Sequence, residues 1–457
     1  MLSVISGFVH AIVNWLNMIL WDYALLFLLL GTGVFFTFRL NFIQVRKFKA
    51  GMKALFGSVS LRGSKNGKGL SSFQALATAI AAQVGTGNIA GAATAIAAGG
   101  PGAIFWMWVS AFFGMATIYG EAIMAQHTRE EKNGVYQGGP IYYIRFAFKG
   151  RFGTFLRTFF SAAIILALGF MGNMVQSNSI SAAFETAFGA SKLLVGALSA
   201  LVAGFIFIGG IKRIASFTEK VVPLMAALYV AGCAVILVMR PAALLDSFRQ
   251  IFVGAFSPAS VMGGALGVTV QKAMRYGVAR GLFSNEAGMG STPHAHATAE
   301  VKHPTDQGVI AMMGVFIDTF VILTMTALVI ISTGSLSSGL SGTALAQSAF
   351  SIGFGAFGNA FIALCMLFFA FTTIIGWYYF GEVNVRSLLG RRAVKPYAVL
   401  VVLCIIVGSV LKVDLVWNMS DMFNGLMVLP NLIALLACTG TIVSLTRESE
   451  GMDFEGR

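Results

Sequence analysis

The chain has 457 residues, of which 57% are hydrophobic and only 11% are charged, whereas about 25% of the residues in an average soluble domain are charged. A soluble fold cannot bury this much apolar surface, so the composition excludes a soluble protein and predicts an integral membrane protein that contacts the lipid bilayer. The net charge is +13, but the basic residues lie in alternate short loops, which argues against nucleic acid as a partner.

Apolar stretches follow one another along the chain, most of them about long enough to cross a ~30 Å hydrocarbon layer. A leading helix is predicted at 22–38, after an amphipathic interfacial lead-in over residues 1–20. The fold class is therefore an all-α membrane protein of about 11 transmembrane helices in a single domain, 1–457. The ten helices after the first are predicted near 71–98, 101–127, 155–181, 192–211, 220–239, 260–302, 309–333, 357–384, 396–412 and 418–443.

Lysine and arginine residues are concentrated in alternate loops. Eight lie between Arg39 and Leu70 without any acidic residue, and six more lie between Arg129 and Arg157. By the positive-inside rule these loops face the cytoplasm. The alternation predicts an N-terminus outside, a C-terminus in the cytoplasm and an odd number of spans.

Two of the ten helices are interrupted by glycine-rich stretches, at 83–91 and at 281–290. Helix breaks at membrane depth are tolerated where the freed backbone groups line a cavity. The sequence therefore predicts two broken helices around a cavity in the membrane interior.

The two breaks share an Asn-x-Ala-Gly motif, at 88–91 and at 285–288. A step of 88 residues from each asparagine reaches Gln176 in the first half and Thr373 in the second. The matching layout predicts two five-helix repeats, at about 71–239 and 258–446. Because five is odd, the second repeat is inverted relative to the first, which is an architecture of secondary transporters.

The position of the second break has a rival interpretation. Lys272, Arg275 and Arg280 precede this break, although positive charge is expected at the cytoplasmic side. In the rival placement the helix ends near Lys272, the break lies at Gly263–Gly264, and 284–290 form a cytoplasmic loop.

The stretch GGPGAIFWMWV at 99–109 resembles the signature of the alanine or glycine:cation symporter family, the sodium:alanine symporters. The breaks, GTGNI at 85–89 and RGLFSNEAG at 280–288, are similar to other motifs of that family. The resemblance covers roughly 21–448. Membership implies the inverted-repeat fold of the amino acid–polyamine–organocation superfamily with one extra N-terminal helix. It also implies sodium-driven uptake of small neutral amino acids.

The expected function is that of a secondary active symporter in the bacterial inner membrane, with Na⁺ as the coupling ion and alanine or glycine as the substrate. We expect neither an organic cofactor nor an obligate protein partner. The chain has no serine-nucleophile motif, no H-E-x-x-H zinc motif and no P-loop, so enzymatic or ATP-driven activity is not predicted. Two matched breaks also differ from the symmetric pore segments of channels. The nearest alternative is a proton-coupled transporter of another small amino acid or amine with the same fold.

An amino acid zwitterion requires partners for a carboxylate and for an ammonium group. Unwinding at 85–87 exposes backbone N–H groups that suit the carboxylate, and the glycines leave space for a small ligand. Gln176 and Asn173 lie one turn apart and can contact the ammonium group. The predicted substrate-binding residues are Gly85, Thr86, Gly87, Asn173, Gln176, Phe283, Ser284, Asn285 and Trp377.

The indole of Trp377 is predicted to limit the length of the substrate side chain, because it lies one turn beyond Thr373. Glu286 either pairs with Arg280 or receives a cation or proton. Asp318 is a further candidate for a proton or gating role, whereas Glu121 and Glu382 are predicted to reach toward the inner membrane surface.

The motif VGTGN at 84–88 also resembles that of other broken-helix sodium symporters, in which carbonyl groups of the first core helix and hydroxyl groups of the eighth hold one sodium ion. This resemblance implies a sodium site formed by the carbonyl groups of Ala81 and Val84 with the hydroxyl groups of Thr372 and Thr373. The side-chain oxygen of Asn88 is a further candidate ligand.

Overall fold

The structure is a computed structural model, and it describes residues 2–57, 69–132, 135–257, 269–411 and 413–455. Within these ranges the protein is almost entirely helical. The β structure of the described residues consists of two antiparallel strands, Glu130–Lys132 with Val135–Gln137, and an isolated bridge between Leu70 and Ala299. The all-α membrane fold predicted from the composition is confirmed.

The helices of the first half alternate long apolar segments with short connecting helices. Two π-helical segments, Gly87–Gly91 and Ile165–Gly172, lie within longer helices of this half, and a third, Met18–Ala24, lies in the leading helix. The α-helices are Leu2–Asn17, Leu25–Arg39, Ile43–Arg46, Phe48–Gly57, Ser72–Gln83, Ala92–Gly99, Gly102–His127, Pro140–Ala147, Gly150–Ile164, Asn173–Phe188, Lys192–Phe207, Gly210–Val238 and Pro241–Phe256.

The second half likewise combines long apolar helices with short connecting helices. A further π-helical segment, Phe316–Leu323, joins two α-helices into one long helix, and short 3₁₀ turns occupy Ser335–Ser338 and Arg391–Ala393. The α-helices are Val270–Asn285, Pro293–His296, Pro304–Val315, Thr324–Ser332, Gly342–Phe354, Phe357–Leu389, Val394–Val410, Val413–Ala437 and Thr439–Glu455.

Eight helices in the described part of the chain are long and apolar enough to span a membrane. The apolar helix Lys192–Phe207 is shorter than these eight helices. Each of the two broken helices consists of shorter segments on either side of its break. The count of 11 spans, like the division into two repeats, stays a prediction.

The leading helix is longer than the predicted range 22–38, because His10–Arg39 is continuous. Its N-terminal part packs against the last long helix of the core. The side-chain amide of Asn17 donates to the carbonyl of Asn418 at 2.8 Å, and the indole of Trp21 donates to the carbonyl of Asp421 at 3.1 Å. The side chains of Asn17 and Trp21 therefore have hydrogen-bond partners inside the protein.

The two broken helices lie against each other with their breaks in contact, and Gln83 Nε2 donates to the carbonyl of Asn285 at 2.7 Å. The first consists of Ser72–Gln83 and 87–99, and the second of Val270–Asn285 and Pro293–His296. A Cβ atom added at Gly87 would lie 2.9 Å from Ser284 Cα. Only a residue without a side chain permits this approach.

The structure contradicts the rival placement of the second break. The helix continues past Lys272 to Asn285, and Ser284 and Gly290 are buried in the core instead of lying in a surface loop. The alternative break at Gly263–Gly264 lies outside the described residues.

A main-chain bridge joins the start of the first broken helix to the segment after the second. The N–H of Leu70 donates to the carbonyl of Thr298 at 3.0 Å, and the N–H of Glu300 donates to the carbonyl of Leu70 at 2.9 Å. The side chains of Gln126 and Arg129 donate to carbonyl groups of the same segment. We refer to Leu70 and 298–300 as the inner bridge.

Candidate functional site

The first break frees backbone groups that side chains then satisfy. The N–H of Gly85 donates to Asn88 Oδ1 at 3.0 Å, and the N–H of Thr86 donates to Gln176 Oε1 at 3.2 Å. All four residues are buried. Gln176, which was predicted to bind substrate, therefore contacts the break directly.

Carbonyl oxygens converge on the hydroxyl group of Thr373. The distances from Thr373 Oγ1 are 3.0 Å to the oxygen of Ala81, 3.3 Å to that of Ala82 and 3.4 Å to that of Val84. The carbonyl of Phe369 in its own helix lies 3.0 Å away. A hydroxyl group has one proton and can satisfy one of these acceptors fully. Such a cluster of neutral oxygens suits a hard cation.

Two predicted sodium ligands are directed elsewhere in this conformation. The hydroxyl of Thr372 donates to its own helix, with Phe368 O at 2.9 Å and Phe369 O at 3.0 Å. Asn88 uses its oxygen for Gly85 and its amide for Asp318. The structure thus brings Thr373 to Ala81 and Val84, but not Thr372 or the side chain of Asn88.

Four polar atoms at or beside the first break are buried and have no hydrogen-bond partner among the described residues. They are Gln83 Oε1, Thr86 Oγ1, Asn173 Oδ1 and Gln176 Nε2. Thr86, Asn173 and Gln176 are each 0% exposed. Buried polar groups are nearly always hydrogen-bonded. The unpaired atoms therefore mark a place where a polar ligand can bind, and the chemistry fits both ends of a zwitterion.

Aromatic rings close one side of this region. Trp377 packs edge to face against Phe283, with ring centroids 5.8 Å apart, and Phe283 in turn lies 5.2 Å from the ring of Trp417. A side chain at Gly172 would collide with the ring of Trp377. The indole therefore lies beside the segment that carries Asn173, and its role in limiting substrate size stays a prediction.

A buried carboxylate connects the two breaks. Asp318 accepts hydrogen bonds from Asn88 Nδ2 at 2.6 Å and from Ser284 Oγ at 2.9 Å. Its other oxygen accepts from Thr319 Oγ1 at 2.8 Å, and Asn285 Nδ2 donates to Thr319 Oγ1 at 3.2 Å. The predicted site residues Ser284 and Asn285 are thus held by this carboxylate network.

Local π-helical turns position several of these side chains. Asn88 lies within Gly87–Gly91, Asp318 lies within Phe316–Leu323, and Asn173 follows Ile165–Gly172 directly. Short π-helical turns within α-helices occur frequently at functional sites. Their repeated presence around the two breaks supports a functional role for this region.

The expected pairing of Glu286 with Arg280 is wrong. Arg280 instead forms a bidentate ion pair with Asp421, with N···O distances of 2.9 Å and 2.8 Å. Its guanidinium group lies over the ring of Trp417 at 5.2 Å. Arginine prefers this planar, two-point contact with a carboxylate, which Asp421 on a neighbouring helix provides.

Glu121 was predicted to reach toward the membrane surface, but it is fully buried. Its carboxylate accepts from the N–H groups of Gly288 at 3.1 Å and Gly290 at 3.0 Å, and from Asn431 Nδ2 at 2.6 Å. Glu121 therefore holds the irregular segment after the second break. One feature of the sequence could have indicated this burial: the residue one turn further along the helix is Ala125, so no basic side chain lies there to pair with Glu121.

Comparisons with known proteins identify the family. The chain matches the model of the sodium:alanine symporter family over residues 6–455. It is 42% identical over 439 residues to the probable sodium/glutamine symporter GlnT of Bacillus subtilis, covering 96% of this chain and 90% of the relative. It is also 40% identical over 443 residues to the sodium/alanine symporter AgcS of Methanococcus maripaludis, covering 96% of each chain.

A solved structure shares the fold. The manganese transporter of Eremococcus coleocola, in complex with an aromatic bis-isothiourea substituted compound, superposes with a TM-score of 0.51. The superposition covers 78% of this chain and 74% of that one, at 13% sequence identity, so the likeness extends to the fold alone. The family match and the two relatives show that the chain, a membrane protein, belongs to the sodium:alanine symporter family and is a cation-coupled amino acid symporter.

Proposed function

We propose that this protein is a secondary active symporter that couples inward Na⁺ movement to the uptake of a small neutral amino acid, alanine or glycine, across the bacterial plasma membrane by alternating access. The observation that carries the proposal is the set of unpaired, buried polar atoms of Thr86, Asn173 and Gln176 beside the first break. The N-terminus lies outside and the C-terminus in the cytoplasm, as the basic loops indicate.

In this proposal the substrate carboxylate binds to Thr86 and Gln176, whose hydroxyl and amide groups can donate hydrogen bonds. The ammonium group binds to Asn173 Oδ1, which accepts. Gly85 and Gly87 leave the space that a small ligand needs. Ser284 and Asn285 complete the polar side of the site, and Phe283 and Trp377 form its apolar side.

Sodium binds among the carbonyl groups of Ala81 and Val84 and the hydroxyl of Thr373. The convergence of oxygens at 3.0 to 3.4 Å on Thr373 supports this position. Thr372 and Asn88 remain proposed ligands, and each requires a change of side-chain rotamer to reach the ion. Because the first broken helix carries both sites, sodium binding and substrate binding stabilise the same backbone conformation.

Uptake of radiolabelled alanine into proteoliposomes tests the proposal, with an imposed Na⁺ gradient, a K⁺ control and an imposed proton gradient. Thr373→Ala should raise the Na⁺ concentration for half-maximal uptake by about tenfold or more, because a contact to a charged ligand contributes about 1.5 to 3 kcal/mol and about 1.4 kcal/mol corresponds to tenfold. Thr94→Ala is the matched control, because the hydroxyl of Thr94 donates to the carbonyl of Ala90 in its own helix and is not a proposed sodium ligand, and we expect no change. An unchanged Na⁺ dependence in Thr373→Ala would remove this sodium site.

A proton-coupled transporter with the same fold is the second candidate. The observation that favours it is the fully buried carboxylate of Asp318. All of its described hydrogen-bond partners, which belong to Asn88, Ser284 and Thr319, are neutral groups. Intramembrane carboxylates commonly carry protons in transporters. Alanine accumulation driven only by the proton gradient in the same proteoliposomes would select this candidate, and accumulation driven by Na⁺ alone would reject it.

A further inference from the structure

Glu286 occupies a strained backbone position directly after the second broken helix. Its φ angle is +57°, in the left-handed region that residues with a side chain rarely adopt. The N–H of Glu286 still closes the helix by donating to the carbonyl of Leu282 at 2.8 Å. Strained residues of this kind concentrate at functional sites. The backbone conformation fixes the direction in which the side chain leaves the helix end.

The carboxylate of Glu286 is fully buried and accepts two short hydrogen bonds. Trp377 Nε1 donates to Oε1 at 2.5 Å, and Ser291 Oγ donates to Oε2 at 2.5 Å. Among the described ion pairs, none involves Glu286. The carboxylate thus acts on its neighbours through the indole and the hydroxyl.

The indole of Trp377 is held on three sides. Glu286 binds its nitrogen, the ring of Phe283 lies edge to face against it, and Gly172 lies against its six-membered ring. Trp377 is only 1% exposed. The hydrogen bond adds a directional constraint to the two packing contacts, because its strength depends on the N–H···O angle.

We propose that Glu286 is a positioning residue for substrate size: its carboxylate fixes the indole of Trp377 so that the ring excludes amino acids with long side chains. This inference rests on the proposed function. A buried indole N–H without an acceptor is unfavourable, so the ring rotates toward another acceptor when the carboxylate is removed. Rotation of the ring opens space beside Asn173 and relaxes the selectivity.

The test uses two substitutions of Glu286 in the full-length protein. Glu286→Gln keeps an oxygen for the indole and an amide for Ser291 Oγ, whereas Glu286→Ala removes both. Competition by unlabelled leucine and by unlabelled alanine against labelled alanine gives the ratio of the inhibition constant of leucine to that of alanine. We expect Glu286→Gln to keep the wild-type ratio and Glu286→Ala to lower it by about tenfold, a usual size for discrimination by side-chain bulk.

Trp377→Phe keeps an aromatic ring but lacks the N–H group, so it should lower the ratio as Glu286→Ala does. In the Trp377→Phe background, Glu286→Ala should have no additional effect, because Glu286 acts through the indole. A folded Glu286→Ala protein with the wild-type ratio overturns the inference. So does a further loss of selectivity in the double variant.

A spectroscopic measurement is independent of transport. The indole N–H vibration of Trp377, taken as the difference between wild type and Trp377→Phe, should report a strong hydrogen bond in wild type and Glu286→Gln and its loss in Glu286→Ala. If the vibration is the same in Glu286→Ala as in wild type, the inference fails, whether or not alanine is the substrate. If wild type transports no alanine under any gradient but the vibration changes as expected, the proposed substrate fails and the link between Glu286 and Trp377 stands.

Discussion

At the first break, the positions that lack a side chain decide how closely the helices approach. A Cβ atom at Gly85 would collide with the hydroxyl group of Thr373, whereas one at Gly91 would meet its nearest neighbour, Thr86 O, at 3.8 Å. Gly85→Ala should therefore displace Thr373 from the carbonyl groups of Ala81 and Val84 and reduce sodium-driven uptake by tenfold or more, equivalent to about 1.4 kcal/mol or more. Uptake by proteoliposomes measures the effect.

Gly91→Ala is the matched control, because it adds the same methyl group in the same helix without a collision. We expect it to keep wild-type uptake. Equal losses in Gly85→Ala and Gly91→Ala would show that any side chain in this helix disturbs the protein, and the contact with Thr373 would then have no special role.

Some contacts of single residues could be anticipated from the sequence, and others could not. Gln176 and Thr373 both contact the first break, and the equal 88-residue steps pointed to them. The directions of the Thr372 hydroxyl and of the Glu286 carboxylate could not be predicted, because a rotamer and a choice of partner depend on neighbouring helices. Arg280 shows this clearly, since its partner Asp421 is 141 residues away in sequence.

Among the structural elements, the segment after the second break depends on one carboxylate. Glu121 accepts from the N–H groups of Gly288 and Gly290 and from Asn431. Glu121→Gln replaces one accepting oxygen by a donor that faces other donors. We expect it to lower the free energy of unfolding by about 2 kcal/mol, because hydrogen bonds to a charged group contribute about this amount each.

Glu382→Gln serves as the comparison, since it is the same chemical change in another long helix. Glu382 pairs with Arg386 one turn away, and its side chain is 7% exposed while that of Arg386 is 35% exposed, so water still solvates the guanidinium group when the pair is lost and we expect a smaller cost than at Glu121. Thermal unfolding in detergent should give a clearly lower midpoint for Glu121→Gln. A reversed order of the two midpoints would contradict the proposed role of Glu121.

Long elements were easier to predict than short ones. The two breaks and the long apolar helices follow from glycine positions and from hydropathy, which are properties of the sequence itself. The strands Glu130–Lys132 and Val135–Gln137 and the helices Pro241–Phe256 and Gly342–Phe354 were missed. They lie between spans and combine polar and apolar residues without a long apolar run. Contacts with the rest of the protein stabilise such short elements more than their own sequence does.

Across the whole molecule, the inner bridge joins the two broken helices at one end. Partners in a β-bridge lie about 4.8 Å apart, which is within the range for a disulfide. In a protein with Leu70→Cys and Ala299→Cys, oxidation should therefore cross-link the bridge. If the bridge opens in each transport cycle, the cross-link should abolish uptake, and a reductant should restore it.

The wild-type protein and each single cysteine variant are the controls, treated with the same oxidant. The native cysteines at 233, 365 and 438 are buried, and that at 404 is partly buried, so we expect no loss of uptake in wild type. Full uptake by the cross-linked protein would show that the bridge stays closed during transport.

The fold of the whole molecule was predictable as a class, because the apolar content and the paired breaks leave few alternatives. The contact between the two broken helices was implied by the inverted repeat, but the inner bridge was not. Its hydrogen bonds are made by main-chain atoms, which leave no pattern in the sequence.

The same property determines which substitutions the inner bridge tolerates. Its hydrogen bonds require an N–H group at positions 70 and 300 and carbonyl oxygens at positions 70 and 298, and they require no particular side chain. During evolution these positions are free to change to any residue that fits the local packing, whereas proline is excluded at 70 and 300 because it has no N–H group. The inner bridge can therefore persist among distant relatives in which none of its residues is conserved.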